Sequence, residues 1–225
     1  MAGEDLSAGG EVPLTIGVLA LQGAFREHAQ LLKSLGARVV EVRLAAHLAD
    51  LDGLVIPGGE STTMGKLMEE YGLSAPLRAF AGDHPVLGTC AGLIMLATRT
   101  TEGEQPLLGV LDVTVRRNAF GRQVHSFEAP VELSLAGQEG AGSFPGVFIR
   151  APWVEELGPG VQAIASCEGR IVGVKQGSVL GVAFHPELTE DARLHAYFLR
   201  LVTAHRQKAA LGAKPDSESL AKKAI

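Results

Sequence analysis

Cys90 is the residue whose surroundings most directly indicate covalent chemistry. It lies in the segment Val86-Leu87-Gly88-Thr89-Cys90-Ala91-Gly92, where a short apolar run leads into a cysteine flanked by small residues and then into a second apolar run. A Gly-x-nucleophile-x-Gly pattern permits the sharp strand-to-helix turn that exposes a nucleophile and leaves the next backbone N–H free to bind an oxyanion. A thiol at a helix N-terminus is also favoured to ionise. The alternative is a small buried core cysteine followed by a packing turn, and this segment alone does not decide between the two.

The second chemical signal is the tripeptide His185-Pro186-Glu187, which follows the apolar run at residues 178–184. In an extended segment, residues i and i+2 project to the same side, so Glu187 is expected beside His185. A carboxylate in that place can hold one imidazole nitrogen while the other faces a nucleophile, which gives the triad Cys90, His185 and Glu187. The alternative is a strand-ending turn with a solvated histidine and glutamate.

The third signal is the loop Pro57-Gly58-Gly59-Glu60-Ser61. Two glycines let the backbone approach a ligand closely, so the N–H groups of Gly58 and Gly59 could form an oxyanion hole with that of Ala91. The alternative is an ordinary βα turn in which Ser61 or Thr62 caps the following helix. Phosphate binding is less well supported, because the chain has neither Gly-x-x-x-x-Gly-Lys-Ser/Thr nor Gly-x-Gly-x-x-Gly on its first strand.

These motifs each follow a run typical of a buried strand. Continuous apolar runs, with helical patterns between them, predict parallel strands at residues 14–21, 38–43, 53–57, 86–88 and 181–184. Helical patterns are predicted at residues 24–35, 62–71 and 191–206 and from residue 91. The carboxyl ends of parallel strands border one ligand crevice, so Gln22, Gly58, Cys90 and His185 are expected to meet there.

The predicted fold is α/β: one domain with an open, mostly parallel sheet flanked by helices. Residues 109–175 change to short runs of Val, Ile, Phe and Gly, which predict additional strands, several of them antiparallel. The domain is expected to span residues 14–208. Residues 1–13 are interpreted as a flexible extension and residues 209–225 as a C-terminal tail, with a frayed helix or disorder after Gln207.

Composition excludes several function classes. The 225-residue chain is 46% hydrophobic and has a net charge of -5. It has no stripe of basic residues, so nucleic acid is not expected as the main partner. No apolar stretch approaches the roughly 20 residues of a membrane span, and the N-terminus does not resemble a secretory signal, so a cytoplasmic location is expected. The histidines form no metal motif, and no metal is expected. Cys167 is interpreted as structural, and His28 and His195 as packing or surface residues.

The motifs together resemble the glutaminase subunits of pyridoxal 5'-phosphate synthase, which are class I, triad-type glutamine amidotransferases with a flavodoxin-like sheet. The Cys elbow and His-Pro-Glu point to the superfamily, and the other segments make the resemblance narrower. It covers roughly residues 14–208 and is carried by Gly17-Val18-Leu19-Ala20-Leu21-Gln22-Gly23-Ala24 with Glu27-His28 after it, Pro57-Gly58-Gly59-Glu60-Ser61-Thr62-Thr63, Gly88-Thr89-Cys90-Ala91-Gly92-Leu93, Arg117-Asn118-Ala119-Phe120-Gly121-Arg122-Gln123, Phe148-Ile149-Arg150-Ala151-Pro152 and His185-Pro186-Glu187-Leu188.

The resemblance implies that Cys90 attacks the side-chain amide of L-glutamine, and that His185, oriented by Glu187, moves the protons. A γ-glutamyl thioester would then be hydrolysed to glutamate. The loop at Gly58 and Gly59, together with Ala91, would form the oxyanion hole. The residues implied to contact glutamine are Gly59, Glu60, Ser61, Arg117, Ile149 and Arg150. Apart from the resemblance, Arg117 and Arg150 would be interpreted as solvated charges at strand ends.

The resemblance also implies a partner, a barrel-shaped synthase subunit that receives the ammonia in a hetero-oligomeric complex. The oxyanion loop is expected to assemble on docking, with Gln22 at the interface, and no cofactor is expected in this chain. Two alternatives remain at this point. One is a Cys-elbow α/β hydrolase or deglycase of another class, which generally lacks a His-x-Glu after a late strand; the other is a non-catalytic, amidotransferase-like interaction subunit.

Overall fold

The computed structural model describes residues 12–117, 119, 126–135 and 142–212. Twelve strands lie in this part of the chain: β1 (Thr15–Leu19), β2 (Arg38–Val42), β3 (Gly53–Ile56), β4 (Val86–Thr89), β5 (Ala97–Thr100), β6 (Leu111–Arg116), β7 (Ser126–Leu133), β8 (Phe144–Ile149), β9 (Trp153–Leu157), β10 (Gln162–Cys167), β11 (Arg170–Gln176) and β12 (Val179–Val182).

Five α-helices and two short 3-10 helices connect these strands. The α-helices are α1 (Phe25–Ser34), α2 (Ser61–Glu70), α3 (Ser74–Asp83), α4 (Ala91–Leu96) and α5 (Arg193–Gly212); the 3-10 helices are Ala45–Leu48 and Pro186–Leu188. In the described residues, no helix combines the length and the apolar character needed to cross a membrane.

Five strands form a parallel sheet in the order β2-β1-β3-β4-β12. Every residue of β1, β3, β4 and β12 is buried, because helices cover both faces of a parallel sheet. The strand order reverses between β1 and β3. In a doubly wound sheet, the crevice beside such a reversal at the carboxyl ends of the strands is where ligands bind.

The chain beyond β4 adds an antiparallel region to this sheet. β11 pairs antiparallel with β12, and the order continues through β10 and β7 to β8. The pair β6 and β9 attaches through β9 to β11. The predicted α/β fold and its antiparallel addition are confirmed. Within this region, β8 ends at Ile149 and so brings the segment of Ile149 and Arg150 to the carboxyl edge of the parallel strands.

Two predictions of local structure need correction. Helix α3 had not been predicted, because Pro76 and the small residues of its sequence weaken the helical pattern and only Leu77, Phe80 and Ala81 face the core. Helix α5 continues to Gly212, four residues into the predicted tail. The predicted domain bounds of 14–208 stay a prediction, and residues 1–11 and 213–225 lie outside the described residues.

Candidate active site

Cys90 lies in a sharp turn between β4 and α4. Its backbone has φ 48° and ψ -104°, a conformation that costs free energy in a residue with a side chain and marks a functional constraint. The flanking glycines permit the turn: a Cβ on Gly88 would lie 2.6 Å from the carbonyl carbon of Gly92, and one on Gly92 would collide with the carbonyl oxygen of Ile56. The Cys90 backbone N–H donates to Val182 of β12 at 2.8 Å. The predicted elbow is therefore present.

His185 and Glu187 are in contact, but through a different backbone from the one predicted. His185 Nδ1 lies 2.7 Å from Glu187 Oε1, yet Pro186 begins a 3-10 helix, so the segment is a tight turn and not an extended strand. The correction has a physical cause, since proline fits the first turn of a helix, where its missing N–H costs nothing. The His185 backbone N–H donates to the carbonyl of Val147 at 2.8 Å, which fixes the turn against β8.

The pKa values in this cluster differ strongly from ordinary ones. Burial would lower the pKa of His185, but its hydrogen bonds to Cys90 and Glu187 outweigh burial and raise the pKa to about 10. Burial would raise the pKa of Glu187, but His28 and His185 together hold it well below its usual range. At neutral pH, His185 is thus an imidazolium placed between Cys90 and an ionised carboxylate.

Gly58 closes over this cluster from the end of β3. A Cβ at Gly58 would collide with His185 Cε1 and would lie 3.3 Å from the Cβ of Cys90. On the other side of the loop, the carbonyl of Gly58 accepts a hydrogen bond from the N–H of Ala24 at 3.2 Å. The Gly58–Gly59 peptide is trans, so the N–H of Gly59 points away from Ala24. Ala91, the residue after Cys90, begins α4 with its N–H unpaired within the helix.

Gln22 supports the same loop from the end of β1. Its side-chain amide donates to the carbonyl of Glu60 at 3.0 Å, and it fills the space that a Cβ on Gly59 would need. Gln22 thus contacts the loop at Gly59 and Glu60, and Gly58 in the same loop lies against His185 and Cys90.

Glu60, and not Ser61 or Thr62, caps helix α2. Its carboxylate accepts from the backbone N–H groups of Thr62 at 3.1 Å and Thr63 at 2.7 Å. Burial opposes ionisation, but these hydrogen bonds outweigh it and lower the pKa of Glu60 to about 2. Arg117 Nη2 lies 3.8 Å from the same carboxylate. Glu60 therefore presents a fixed negative charge at the rim of the site.

One cavity brings the cysteine together with the residues implied to hold a substrate. It encloses about 180 Å³, less than the roughly 300–1,000 Å³ of pockets for drug-sized molecules, which suits a ligand the size of an amino acid. The Cys90 thiol lies 3.8 Å from the carbonyl oxygen of Ile149, and Arg150 has a φ of 44°. The lining consists of Gly59, Glu60, Ser61, Cys90, Ile94, Arg117, Ile149, Arg150 and His185.

Three residues near the site make contacts that the sequence did not predict. Ile94 lines the cavity, one helical turn after Cys90, and its place in an ordinary apolar helix gave no signal. His28 and His195, interpreted as packing or surface residues, are fully buried and hydrogen bonded to each other at 2.9 Å. His28 also reaches Glu187, at 3.2 Å. The motif residues 118 and 120–123 lie outside the described residues.

A doubly wound sheet that carries a cysteine elbow and a His–Glu pair at its carboxyl edge is the architecture of a triad-type glutamine amidotransferase. The family model described as the SNO glutamine amidotransferase family matches residues 18–204, and this chain belongs to that family. The family predicted from the sequence is confirmed.

Curated relatives agree with this family. The chain is 53% identical over 190 residues to a protein of Moorella thermoacetica named pyridoxal 5'-phosphate synthase subunit PdxT, covering 84% of this chain and all of the relative. It is 57% identical to the protein of the same name from Acidothermus cellulolyticus, covering 84% and 94%. A crystal structure titled as a glutamine amidotransferase superposes with a TM-score of 0.77 at 54% identity, covering 84% of this chain and 98% of that one.

Proposed function

We propose that this chain is the glutaminase subunit of a pyridoxal 5'-phosphate synthase and hydrolyses L-glutamine to L-glutamate and ammonia. The observation that carries the proposal is the single cavity in which Cys90 and His185 face Glu60, Arg117 and Arg150. Such a cavity offers a nucleophile, a proton carrier and charges of both signs, which is what the amide, ammonium and carboxylate of glutamine require. The names of the relatives support the choice of synthase.

The raised pKa of His185 favours transfer of the Cys90 thiol proton to its imidazole as the reaction begins. The Cys90 thiolate attacks the γ-amide carbon, and the carbonyl electron pair moves to the oxygen. As the tetrahedral intermediate collapses, the C–N bond breaks and His185 gives its proton to the departing nitrogen, which leaves as ammonia. A γ-glutamyl thioester remains on Cys90, and His185 is neutral.

Water completes the turnover. Neutral His185 takes a proton from a water molecule, whose oxygen attacks the thioester carbon, and the C–S bond breaks to release glutamate and the Cys90 thiolate. Glu187 holds Nδ1 of His185 throughout, at 2.7 Å, so that Nε2 stays directed at the reacting atoms. This is the orienting role of the third member of a triad.

The oxyanion hole is proposed at the N–H groups of Gly59 and Ala91, with Gly58 shaping the loop. The hydrogen bond from Ala24 to the Gly58 carbonyl supports this, because it directs the N–H of the trans Gly59 peptide away from Ala24. Donors already oriented before the charge develops stabilise the transition state most effectively.

Glutamine itself is proposed to bind along the cavity wall. Glu60 keeps its negative charge and suits the α-ammonium, while Arg117 and Arg150 suit the α-carboxylate. Ser61 and the backbone of Ile149 complete the wall.

The ammonia is proposed to pass to a barrel-type synthase subunit, which combines it with phosphorylated sugars. Ammonia is mostly protonated in neutral water, so the coupling of the two sites preserves its reactivity. Gln22, which holds the loop through the Glu60 carbonyl, is proposed to lie at this interface. Docking of the synthase subunit at Gln22 would therefore act directly on the loop at residues 57–61.

The mechanism predicts that Cys90→Ala removes glutamine hydrolysis while leaving glutamine binding intact, because a cavity without its thiol keeps its charged wall. Glutamate formation and calorimetric binding of glutamine, both in the presence of the synthase subunit, measure the two effects. Cys167→Ala is the matched control, since Cys167 is also a buried free cysteine but lies outside the cavity. Hydrolysis that persists in Cys90→Ala would overturn the mechanism.

A further inference from the structure

A buried chain of polar side chains continues behind Glu187, away from the cavity. His28 Nε2 lies 3.2 Å from Glu187 Oε2 and 3.1 Å from Thr89 Oγ1, and His28 Nδ1 lies 2.9 Å from His195 Nε2. We name the three residues His28, Thr89 and His195 the histidine chain. All three have no exposed surface.

The protons of the histidine chain are assigned so that every buried imidazole N–H has an acceptor. His195 Nδ1 has no hydrogen-bond partner among the described residues, and a bare ring nitrogen is tolerated there more readily than an N–H. We therefore assign the proton of His195 to Nε2, which donates to His28 Nδ1. The proton of His28 is then on Nε2, which donates to Thr89 Oγ1 and lies 3.2 Å from Glu187 Oε2.

In this arrangement His195 donates to His28, His28 donates to Thr89 Oγ1, and His185 donates to Oε1 of Glu187. Oε2 of Glu187 is buried and makes no hydrogen bond among the described residues, and the His28 Nε2 atom is 3.2 Å from it. The Glu187 side chain has no exposed surface. Without His28, its ionised carboxylate would have lost its hydrating water on that side, and few contacts would compensate for that loss.

The histidine chain also joins elements that lie far apart in the sequence. His28 lies in α1, Thr89 at the end of β4, next to Cys90, and His195 in α5. Burying a polar group costs free energy. If the two histidines only filled space, apolar residues could therefore replace them without loss of stability. Their alignment on one carboxylate indicates that orientation, and not packing alone, accounts for them.

We propose that His28 is a positioning residue for Glu187, held in its own orientation by Thr89 and His195. The inference rests on the proposed function, since it assigns His28 a role through the triad. His28 touches neither the cavity nor the substrate wall. Its loss is therefore expected to affect proton transfer and not the binding of glutamine.

Two variants of His28 test the proposal in the complex with the synthase subunit. His28→Gln can place an amide N–H near the position of Nε2, whereas His28→Leu has similar size and no donor. We expect kcat for glutamine hydrolysis to fall about tenfold to a hundredfold in His28→Leu, the range typical of groups that orient a functional side chain from behind. His28→Gln should recover most of that loss, and KM should stay unchanged in both.

A second measurement uses the chain alone and does not require turnover. Alkylation of Cys90 by iodoacetamide, followed by mass spectrometry across a pH series, reports how well the oriented His185 stabilises the thiolate. We expect the alkylation profile of His28→Leu to move to higher pH, and that of His28→Gln to stay near the parent. His84→Gln is the matched control, because the His84 ring also packs closely, 4.3 Å from Phe80, but lies outside the site.

The outcomes separate this proposal from the proposed function. Equal kcat values and equal alkylation profiles for parent and His28→Leu would overturn the positioning role, even if the variant melts at a lower temperature. A drop in kcat that His28→Gln does not recover, with an unchanged alkylation profile, would overturn it as well. If the parent itself fails to hydrolyse glutamine while the alkylation profiles of the variants still differ, the proposed function fails and the positioning role stands.

Discussion

The two sides of the candidate site are built differently. On the proton-transfer side, the side chains of His185 and Glu187 are 8% and 0% exposed, and each is fixed by buried partners. On the substrate side, the side chains of Arg117 and Glu60 are 25% and 44% exposed. Glu60 is engaged as a helix cap, and the glycine loop is held by single hydrogen bonds from Gln22 and Ala24.

This difference indicates which part of the site a partner can adjust. The buried side is set by the packing of strands and helices, so its geometry follows from folding. The exposed side depends on a few hydrogen bonds that compete with water and are weak individually. Activation by a docked subunit is therefore expected to act on the loop at residues 57–61 and not on the His–Glu pair.

The largest effect is expected on the buried side, for Glu187→Gln. The amide has nearly the same shape but cannot hold the imidazolium, so kcat should fall about 10⁴-fold, as for the loss of an orienting carboxylate in other triads. Steady-state glutaminase assays with the synthase subunit measure it, with KM expected to stay near the parent value. A loss below tenfold would show that the carboxylate is not needed for orientation.

The next largest effect is expected where the two sides meet, for Gly58→Ala. The new methyl group would collide with His185 Cε1, so either the ring or the loop must move, and kcat should fall about 10²- to 10³-fold. Gly82→Ala is the control, because a Cβ there meets nothing within 4 Å. Partner-stimulated rates that stay equal in both variants would contradict a close approach of the loop to the triad.

A smaller effect concerns the stability of the buried side at acid pH. Burial and the neighbouring His28 lower the pKa of His195 to about 3, although Glu187 acts in the opposite sense. Between pH 6.5 and 3 the unfolded chain therefore binds a proton that the folded chain does not, and stability falls as the pH falls. Relative to His195→Gln, the parent should lose about 2 kcal/mol of unfolding free energy between pH 7 and pH 5.

Urea unfolding at the two pH values measures this difference directly. Comparing parent with variant cancels the titration of the other histidines, including His185, whose raised pKa gives stability that is lost only at high pH. A parent and a variant with parallel pH dependence would show that His195 is protonated inside the folded protein.

The smallest effect is expected at the exposed rim, for Glu60→Gln. Loss of its charge should raise KM for glutamine about tenfold, near 1.4 kcal/mol, with kcat little changed, because partly exposed charges interact weakly. Glu69→Gln in the same helix is the control, since Glu69 is exposed and lies outside the cavity. A fall in kcat with unchanged KM would place Glu60 in the chemistry instead of in binding.

The sequence predicted what local patterns determine. The continuous apolar strands, the small residues around Cys90 and the glycines after β3 each act over a few residues, and the parallel sheet then brings their ends together. The residues implied to hold glutamine by the family resemblance, and not by a local pattern, also line one cavity.

The remaining features depend on contacts that no local pattern records. His28 and His195 are 167 positions apart, and their helical spacing shows only that each faces inward, not which groups they meet. Three residues could cap α2, and the choice of Glu60 depends on the loop geometry before it. The 3-10 turn at Pro186 likewise follows from how His185 is fixed to β8.

The most direct test of the proposed mechanism is ammonia release from L-glutamine by this chain, with and without the purified synthase subunit, using Cys90→Ala as the blank. We expect release that rises sharply when the subunit is present and is absent in the blank. No release in either condition, from a folded chain that still binds the subunit, would contradict it and favour a non-catalytic role.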